Sequence, residues 1–176
     1  MTSPKRPPAS WWIEQLGLTA HPEGGYFRES FRADESLAGE ALPKRYGGAA
    51  RAISTSIYYL LERGQRSRLH RLASDEICHF HAGDPVTVHL LDHEAGYRAF
   101  VLGLGLDRGH APQLRLPRGT WFGATLDHSD TEGAAGFVLV GCTVAPGFDF
   151  DDFELADKAS MLRRYPQHAE ILSRLV

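Results

Sequence analysis

The chain of 176 residues is 43% hydrophobic, 10% aromatic and 23% charged, the composition of a globular protein rather than a disordered or fibrous one. Its 19 Lys and Arg face 22 Asp and Glu, so the cationic excess needed to bind a phosphate backbone is missing and nucleic acid is excluded as a partner. No run approaches the ~20 apolar residues that span a bilayer, and Trp11-Trp12-Ile13 is cut by Glu14 too early for a secretion signal. No membrane partner is expected, and the chain is assigned to the cytoplasm. Cys78 and Cys142 form no CxxC pair and read as free, buried, inert thiols of a reducing compartment.

Residues 1–9, with Pro4, Pro7 and Pro8, read as a disordered lead-in to a single domain over residues 10–176. Ser10 is expected to cap a helix over 11–16 that Gly17 ends in the left-handed conformation. The turn cluster His21-Pro22-Glu23-Gly24-Gly25 leads into a strand over 26–32, and the small, charged, Gly-rich residues 33–50 read as a surface loop. Strands then follow at 52–61, 67–73, 76–81, 86–92, 97–102, 113–116, 123–127 and 136–144, joined by Gly- and Asp-containing turns. No long helices interleave them, so the pattern excludes βαβ units and predicts an antiparallel barrel or sandwich. Asp157 is expected to cap a helix over 158–165, and Pro166 to open a second one that runs to Leu175 with Ile171, Leu172 and Leu175 on one face.

The segment from Gly64 to Gly83 carries the chemistry. Side chains alternate along a strand, so His70 and residue 72 share a face, and the short connection Ser74-Asp75 lets Glu76 open the returning strand toward the same cavity. The spacing resembles the first cupin motif, GxxxxxHxHxxxExxxxxxG, at Gly64, His70, Glu76 and Gly83, with Leu72 in place of the second histidine. Pro117-Arg118-Gly119-Thr120-Trp121-Phe122 resembles the second motif, PxGxxH, with Phe122 in place of its histidine. With HPEGGYFRES, TSIYYLLE, LPRGTWFGA and GFVLVGCTVAPGFDFDDFELAD, these segments make the chain similar to a family of small single-domain cupins of unknown function, from about Trp11 to Tyr165. The resemblance implies an all-β fold, a double-stranded β-helix (cupin jelly-roll barrel) with short N-terminal and C-terminal helices, commonly paired as a homodimer.

A cupin metal site uses three histidines and a glutamate. Here only His70 and Glu76 stand at those positions, so no metal cofactor is expected; a weak transition-metal site, if present, would recruit His81 or Cys78 beside them. An imidazole near a carboxylate instead suits proton transfer at neutral pH. Tyr59, Phe80, Trp121 and Phe122, with Cys78 inward beside Glu76, are candidates for the wall of a ligand pocket. The chain also resembles the dTDP-4-dehydrorhamnose 3,5-epimerases, metal-free cupins with a histidine base. GGYFRES is similar to their N-terminal strand, which makes Tyr26, Arg28 and Glu29 ligand candidates. Their tyrosine acid has no counterpart in GCTVAP, and Glu76 stands where they carry a lysine.

The expected partner is therefore a small carbohydrate or sugar-nucleotide-like molecule bound in the barrel, with isomerase- or epimerase-type chemistry by His70 and Glu76. A non-catalytic metabolite-binding protein and a metal-dependent cupin enzyme of the dioxygenase type are the alternatives. His21, His110, His128 and His168 are assigned to the surface, and Arg68 or Arg71 to an ion pair with Asp75 or the acidic FDFDDFE stretch.

Overall fold

The computed structural model describes residues 7–94, 96–127 and 133–176. His128 and most of the proposed lead-in lie outside the described residues. The strands are β1 (Thr19–Ala20), β2 (Tyr26–Arg32), β3 (Ser36–Leu37), β4 (Arg51–Ala52), β5 (Thr55–Glu62), β6 (Arg66–Leu72), β7 (Asp75–Gly83), β8 (Val86–Asp92), β9 (Gly96–Leu102), β10 (Gln113–Leu116), β11 (Trp121–Thr125), β12 (Phe137–Ala145) and β13 (Phe153–Leu155). The helices are α1 (Ala9–Leu16), α2 (Lys158–Arg164) and α3 (Ala169–Leu175). One antiparallel sheet runs β1-β2-β5-β12-β7-β10 and a second runs β13-β6-β11-β8-β9, with β3-β4 a separate hairpin. This is the antiparallel barrel that the strand pattern predicts and the jelly roll that the cupin resemblance implies.

Alternation sorts the apolar residues into two sides of each sheet. Leu61, Val86, Val88, Val138, Val140 and Val144 meet in the barrel interior. Leu69, Leu91 and Trp121 point the other way and are covered by Met161, Tyr165, Leu172 and Leu175 of the C-terminal helices. Leu18, Leu60, Phe137 and Leu139 form a third cluster, packed under Trp12, Ile13 and Leu16 of α1. No helix among the described residues is long and apolar enough to cross a membrane.

Several local expectations change. Helix α1 starts at Ala9 with Pro8 as its N-cap, so Ser10 lies inside the helix rather than capping it, whereas Gly17 ends it at φ 61° as expected. The strand foreseen over 52–61 is broken at Ile53 and Ser54, because the Ile53 amide bonds the Glu35 carbonyl and the Ser54 carbonyl accepts from Ala33. The loop 33–50 is not wholly on the surface: Tyr46 is buried, with its hydroxyl 2.8 Å from Ser74 Oγ. Asp157 caps α2 by accepting from the Ser160 amide, while Pro166 opens a short 3₁₀ turn before α3 begins.

A buried histidine ties the second sheet to α3. The Thr125 hydroxyl donates to Asp127 Oδ2 (2.6 Å), so His89 Nε2–H donates to Thr125 Oγ1 (2.7 Å) and the Tyr97 hydroxyl donates to Nδ1 (2.8 Å). Arg174 of α3 closes the network on Asp127. Burial outweighs the pull of Asp127 and lowers the His89 pKa to about 4. A folded value below the unfolded one means that this contribution is present above pH ~6.5 and is lost as pH falls toward 4. Denaturant titrations should show up to about 3 kcal/mol lost over that window, with a flatter profile for His89→Gln, which cannot take up a proton.

Candidate functional site

A cavity of about 220 Å³ opens into the barrel, and its wall carries His21, Glu23, Ser67, His70 and Glu76 among apolar neighbours. A β-bulge makes this possible. Phe122 of β11 pairs with His70 and Ala124 with Ser67, so β6 carries one extra residue between them. Ser67 and His70, three apart, would face opposite ways on a regular strand; the bulge turns both inward. Gly123 lies opposite, where a Cβ would come within 2.7 Å of the Ser67 carbonyl.

The bulge frees backbone groups from the ladder, and the site uses them. The Arg68 amide donates to the Glu23 carbonyl (2.8 Å), which anchors the HPEGG turn against β6. The Arg68 carbonyl accepts from His70 Nδ1 (2.7 Å). A carbonyl can only accept, so Nδ1 carries the hydrogen and Nε2 is left facing Glu23 Oε2 at 3.0 Å. Ser67 donates to the other oxygen, Oε1, at 2.8 Å. The Glu23 amide donates to His21 Nδ1 (3.2 Å), which fixes that ring with its lone pair toward Glu23.

Burial decides where the proton rests. It raises the Glu23 pKa against the pull of His21 and Ser67. It lowers that of His70 against the Arg68 carbonyl and the nearby Glu76, and that of His21 against Glu23. Both shifts favour a neutral pair, a Glu23 carboxylic acid donating to His70 Nε2, and the two groups titrate as a unit sharing one proton.

Glu76 forms a separate cluster. Cys78 and Cys142 are direct cross-strand partners on β7 and β12. Cys78 Sγ lies 3.3 Å from Glu76 Oε1 and 3.5 Å from Cys142 Sγ. Burial raises the Glu76 pKa against His70 and the thiols. The Cys142 hydrogen bond draws the Cys78 thiol down, but burial and Glu76 outweigh it and push it up to about 11. The bond to Cys78, with burial, holds Cys142 well above the usual thiol range. Cys142, foreseen as an inert thiol, is thus part of the cavity wall.

The residues do not fit a cupin metal cage. Leu72 and Phe122 line the cavity at two ligand positions and offer no lone pair, and both nitrogens of His70 are engaged by Arg68 and Glu23. Glu76, Cys78 and Cys142 place three donor atoms within 4.8 Å of one another, but this is not the cupin ligand set, and an ion there would first have to displace a proton from each of two thiols that stand above the usual thiol range. His81 is at a bulge of β7 opposite Leu139 and Val140, exposed and close over Gly141, and does not line the cavity with the other two residues named for a metal.

Of the foreseen ligand residues, Glu29, Tyr59, Cys78 and Phe122 line the cavity with His70 and Glu76. The remaining four do not. Tyr26 and Arg28 occupy the outer face of β2, Tyr26 in the α1 cluster and Arg28 donating to the Leu16 carbonyl at 2.8 Å; Phe27 and Glu29 face inward instead. Trp121 lies under the C-terminal helices with Arg71 4.6 Å over its ring. Phe80 packs against the barrel core without reaching the cavity. His21, assigned to the surface, packs its ring 4.5 Å from Phe27 and lines the cavity. Glu23 and Ser67 were not foreseen. The signal for Glu23 is the Gly24-Gly25 pair after it: Gly24 has φ 110°, and a Cβ there would meet the Arg66 carbonyl at 2.3 Å. Arg71 pairs with Glu154 in the acidic stretch, at 2.8 Å.

Two antiparallel sheets closed around a polar cluster, with His70 and Glu76 in motif register and apolar residues at two ligand positions, define a cupin with an altered inner wall. The family described as Cupin superfamily (DUF985) matches residues 10–156, and the chain belongs to it. It is similar to a hypothetical protein from Leishmania major, at 35% identity and a TM-score of 0.87 over 97% of this chain and 99% of that one. Protein SO0799 from Shewanella oneidensis matches at 38% identity and a TM-score of 0.83, over 97% and 98%. The Saccharomyces cerevisiae protein YML079W, described as uncharacterized, is 29% identical over 83% of this chain and 75% of its own.

Proposed function

We propose that this cupin binds a small carbonyl compound in its barrel and moves a proton on it through the Glu23–His70 pair, an isomerase-type reaction in which no metal takes part. The observation that carries the reading is the 3.0 Å contact between His70 Nε2 and Glu23 Oε2 inside the cavity. Burial raises the carboxyl and lowers the imidazole, so the pair favours holding one proton without charge and offers an acid beside a base. The carbonyl oxygen of the bound substrate replaces His70 Nε2 as acceptor of the Glu23 carboxylic proton, and the Nε2 lone pair so freed takes a proton from the carbon beside the carbonyl. The C–H electron pair becomes the C=C bond of an enol, leaving imidazolium and carboxylate. In a β,γ-unsaturated carbonyl compound the imidazolium then delivers its proton to the γ carbon while the enol hydroxyl returns its proton to Glu23, so the double bond moves into conjugation with the carbonyl and the neutral pair is restored.

Glu23 thus takes the acid role first given to Glu76. Glu76, held by the thiols, favours the imidazolium through its charge. Aromatic neighbours and the resemblance to the sugar-nucleotide epimerases support a ring-shaped ligand; of the rings first named, Tyr59 and Phe122 are in place. The homodimer and the cytoplasmic setting belong to the same proposal, and a light-scattering mass of one chain would remove the first.

The test is exchange of carbon-bound protons in D₂O, followed by NMR over a panel of small ketones and lactones. The expected result is exchange that EDTA does not slow and that His70→Gln slows by at least about 100-fold. A compound that occupies the cavity, yet exchanges no faster than in buffer, would leave a binding protein and overturn the catalytic reading.

A further inference from the structure

We infer that the ligand of this cavity is an uncharged, largely apolar single-ring compound with one hydrogen-bonding edge, not a sugar or a sugar nucleotide. The inference deepens the proton-transfer reading, on which it rests only for the identity of that edge as a carbonyl. Three observations carry it.

The first is size. A cavity of about 150 Å³ lined by Leu, Ile and Phe holds benzene, so about 220 Å³ accommodates one ring with a few substituent atoms and falls far short of a hexose linked to a nucleotide. The second is the distribution of polarity. Glu23, Ser67, His70 and Glu76 share the wall with Leu61, Val86, Val88, Leu102, Leu116 and Val138. A ring hydroxyl turned toward those valines and leucines would lose its water without gaining a partner, an unfavourable exchange repeated for most hydroxyls of a hexose. A ring with one carbonyl meets a polar group at one edge and carbon elsewhere.

The third is charge. Among the described residues that line the cavity, the one guanidinium or ammonium group is that of Arg32, near the mouth, and its Nε and Nη2 are both bonded to Glu29 at 3.0 and 2.7 Å. Asp149 stands beside them. Arg28, named from sequence as the anion-binding residue, is turned to the Leu16 carbonyl on the outer face. A phosphate or carboxylate entering here would therefore meet carboxyl groups and one occupied fork. The neutral Glu23–His70 pair and the protonated thiols fit an uncharged ligand for the same reason.

The experiment uses cyclohexenone and acetophenone as ring probes, with L-rhamnose and dTDP as the polar alternatives, read by ligand-observed NMR and by the imidazole signals of His70 in the full chain. Both ketones should bind and shift His70, and rhamnose and dTDP should not. Val88→Phe and Ala124→Leu, which fill the cavity, should weaken ketone binding at least tenfold while circular dichroism stays that of the parent. If neither variant folds, the His70 signals of the parent decide between the two ligand classes. Rhamnose or dTDP shifting His70, or none of the four probes binding, overturns the inference. Ketones that bind in the cavity without exchanging protons uphold it and overturn the proton-transfer reading alone.

Discussion

The Glu23→Gln protein is expected to bind a cavity ligand as tightly as its parent and to exchange the ligand's protons about 10²- to 10⁴-fold more slowly. The introduced glutamine can present its carbonyl to the Ser67 hydroxyl and its amide N–H to His70 Nε2, so both hydrogen bonds seen at 2.8 and 3.0 Å survive. What is lost is the transferable proton. The pH profile separates this from a structural effect: parent exchange should be bell-shaped, because the pair works only with one proton aboard, and the variant should lose the limb that belongs to the carboxyl. Stability should move in the opposite sense. Burial raises the folded pKa of Glu23 above its unfolded value, so the folded chain holds a proton that the unfolded chain releases. That contribution is therefore present in acid and is lost as pH rises through the folded value. The amide has no such proton to lose, so thermal melts at pH 7 should show the variant at least as stable as the parent, with the difference vanishing below pH ~4.3. A variant that keeps its exchange rate, or that loses ligand binding in proportion to rate, would remove Glu23 from the chemistry.

The fold was legible because strand alternation and turn residues repeat many times, and one misplaced boundary does not alter the sum. The site depends on single departures from regularity. Trp121 and Phe122 are adjacent on β11 and face opposite ways, so only one of them could reach the cavity; register with His70 selects Phe122. Tyr26 and Arg28 were named through likeness to another family's strand, but Phe27 pairs with Tyr59 and shares its inward face. The bulge in β6 has no glycine or proline to mark it, and without it neither the Ser67 orientation nor the Glu23 anchor at the Arg68 amide can be derived. His70 was found because it keeps motif spacing, while its partner lies 47 residues earlier in a turn that carries no pattern beyond two glycines.

The apolar residues at two metal positions and the Glu23 contact act on the same imidazole. An imidazole at 122 would compete for the space where the Phe122 ring now lies 4.1 Å from that of His70, edge to face. With Phe122 and Leu72 there, the surroundings of His70 are dry, which lowers its pKa and makes a shared proton with Glu23 the favoured state. A polar replacement such as Phe122→His would rehydrate this wall as well as add a ligand.

Arg51→Met is expected to destabilise the chain by about 3–5 kcal/mol, a fall in Tm of about 6–20 °C for a domain of this size. Arg51 Nε and Nη2 grip Asp152 at 2.7 and 2.8 Å, Nη1 donates to the Ala50 carbonyl at 2.9 Å, and the two paired side chains are only 5% and 6% exposed. Methionine fills a similar volume but leaves the Asp152 carboxylate buried and unpaired, which is the costly half of breaking such a pair. The damage should reach the cavity, because Asp152 leads into β13, where Leu155 pairs with His70 and the Phe153 ring lies 5.2 Å from its imidazole. Arg71 provides the control. It pairs with Glu154 on the neighbouring segment, at 37% and 55% exposure, and Arg71→Met should cost within about 1 kcal/mol for the lost ion pair and about 0.5–1 kcal/mol more for the contact with the Trp121 ring. Adding Asp152→Leu to Arg51→Met should recover much of the loss, since no buried charge then remains. Denaturant unfolding of the two single variants and the double variant decides the matter: Arg51→Met no less stable than Arg71→Met, or a double variant worse than both, would mean that this pair does not hold the mouth of the barrel in place.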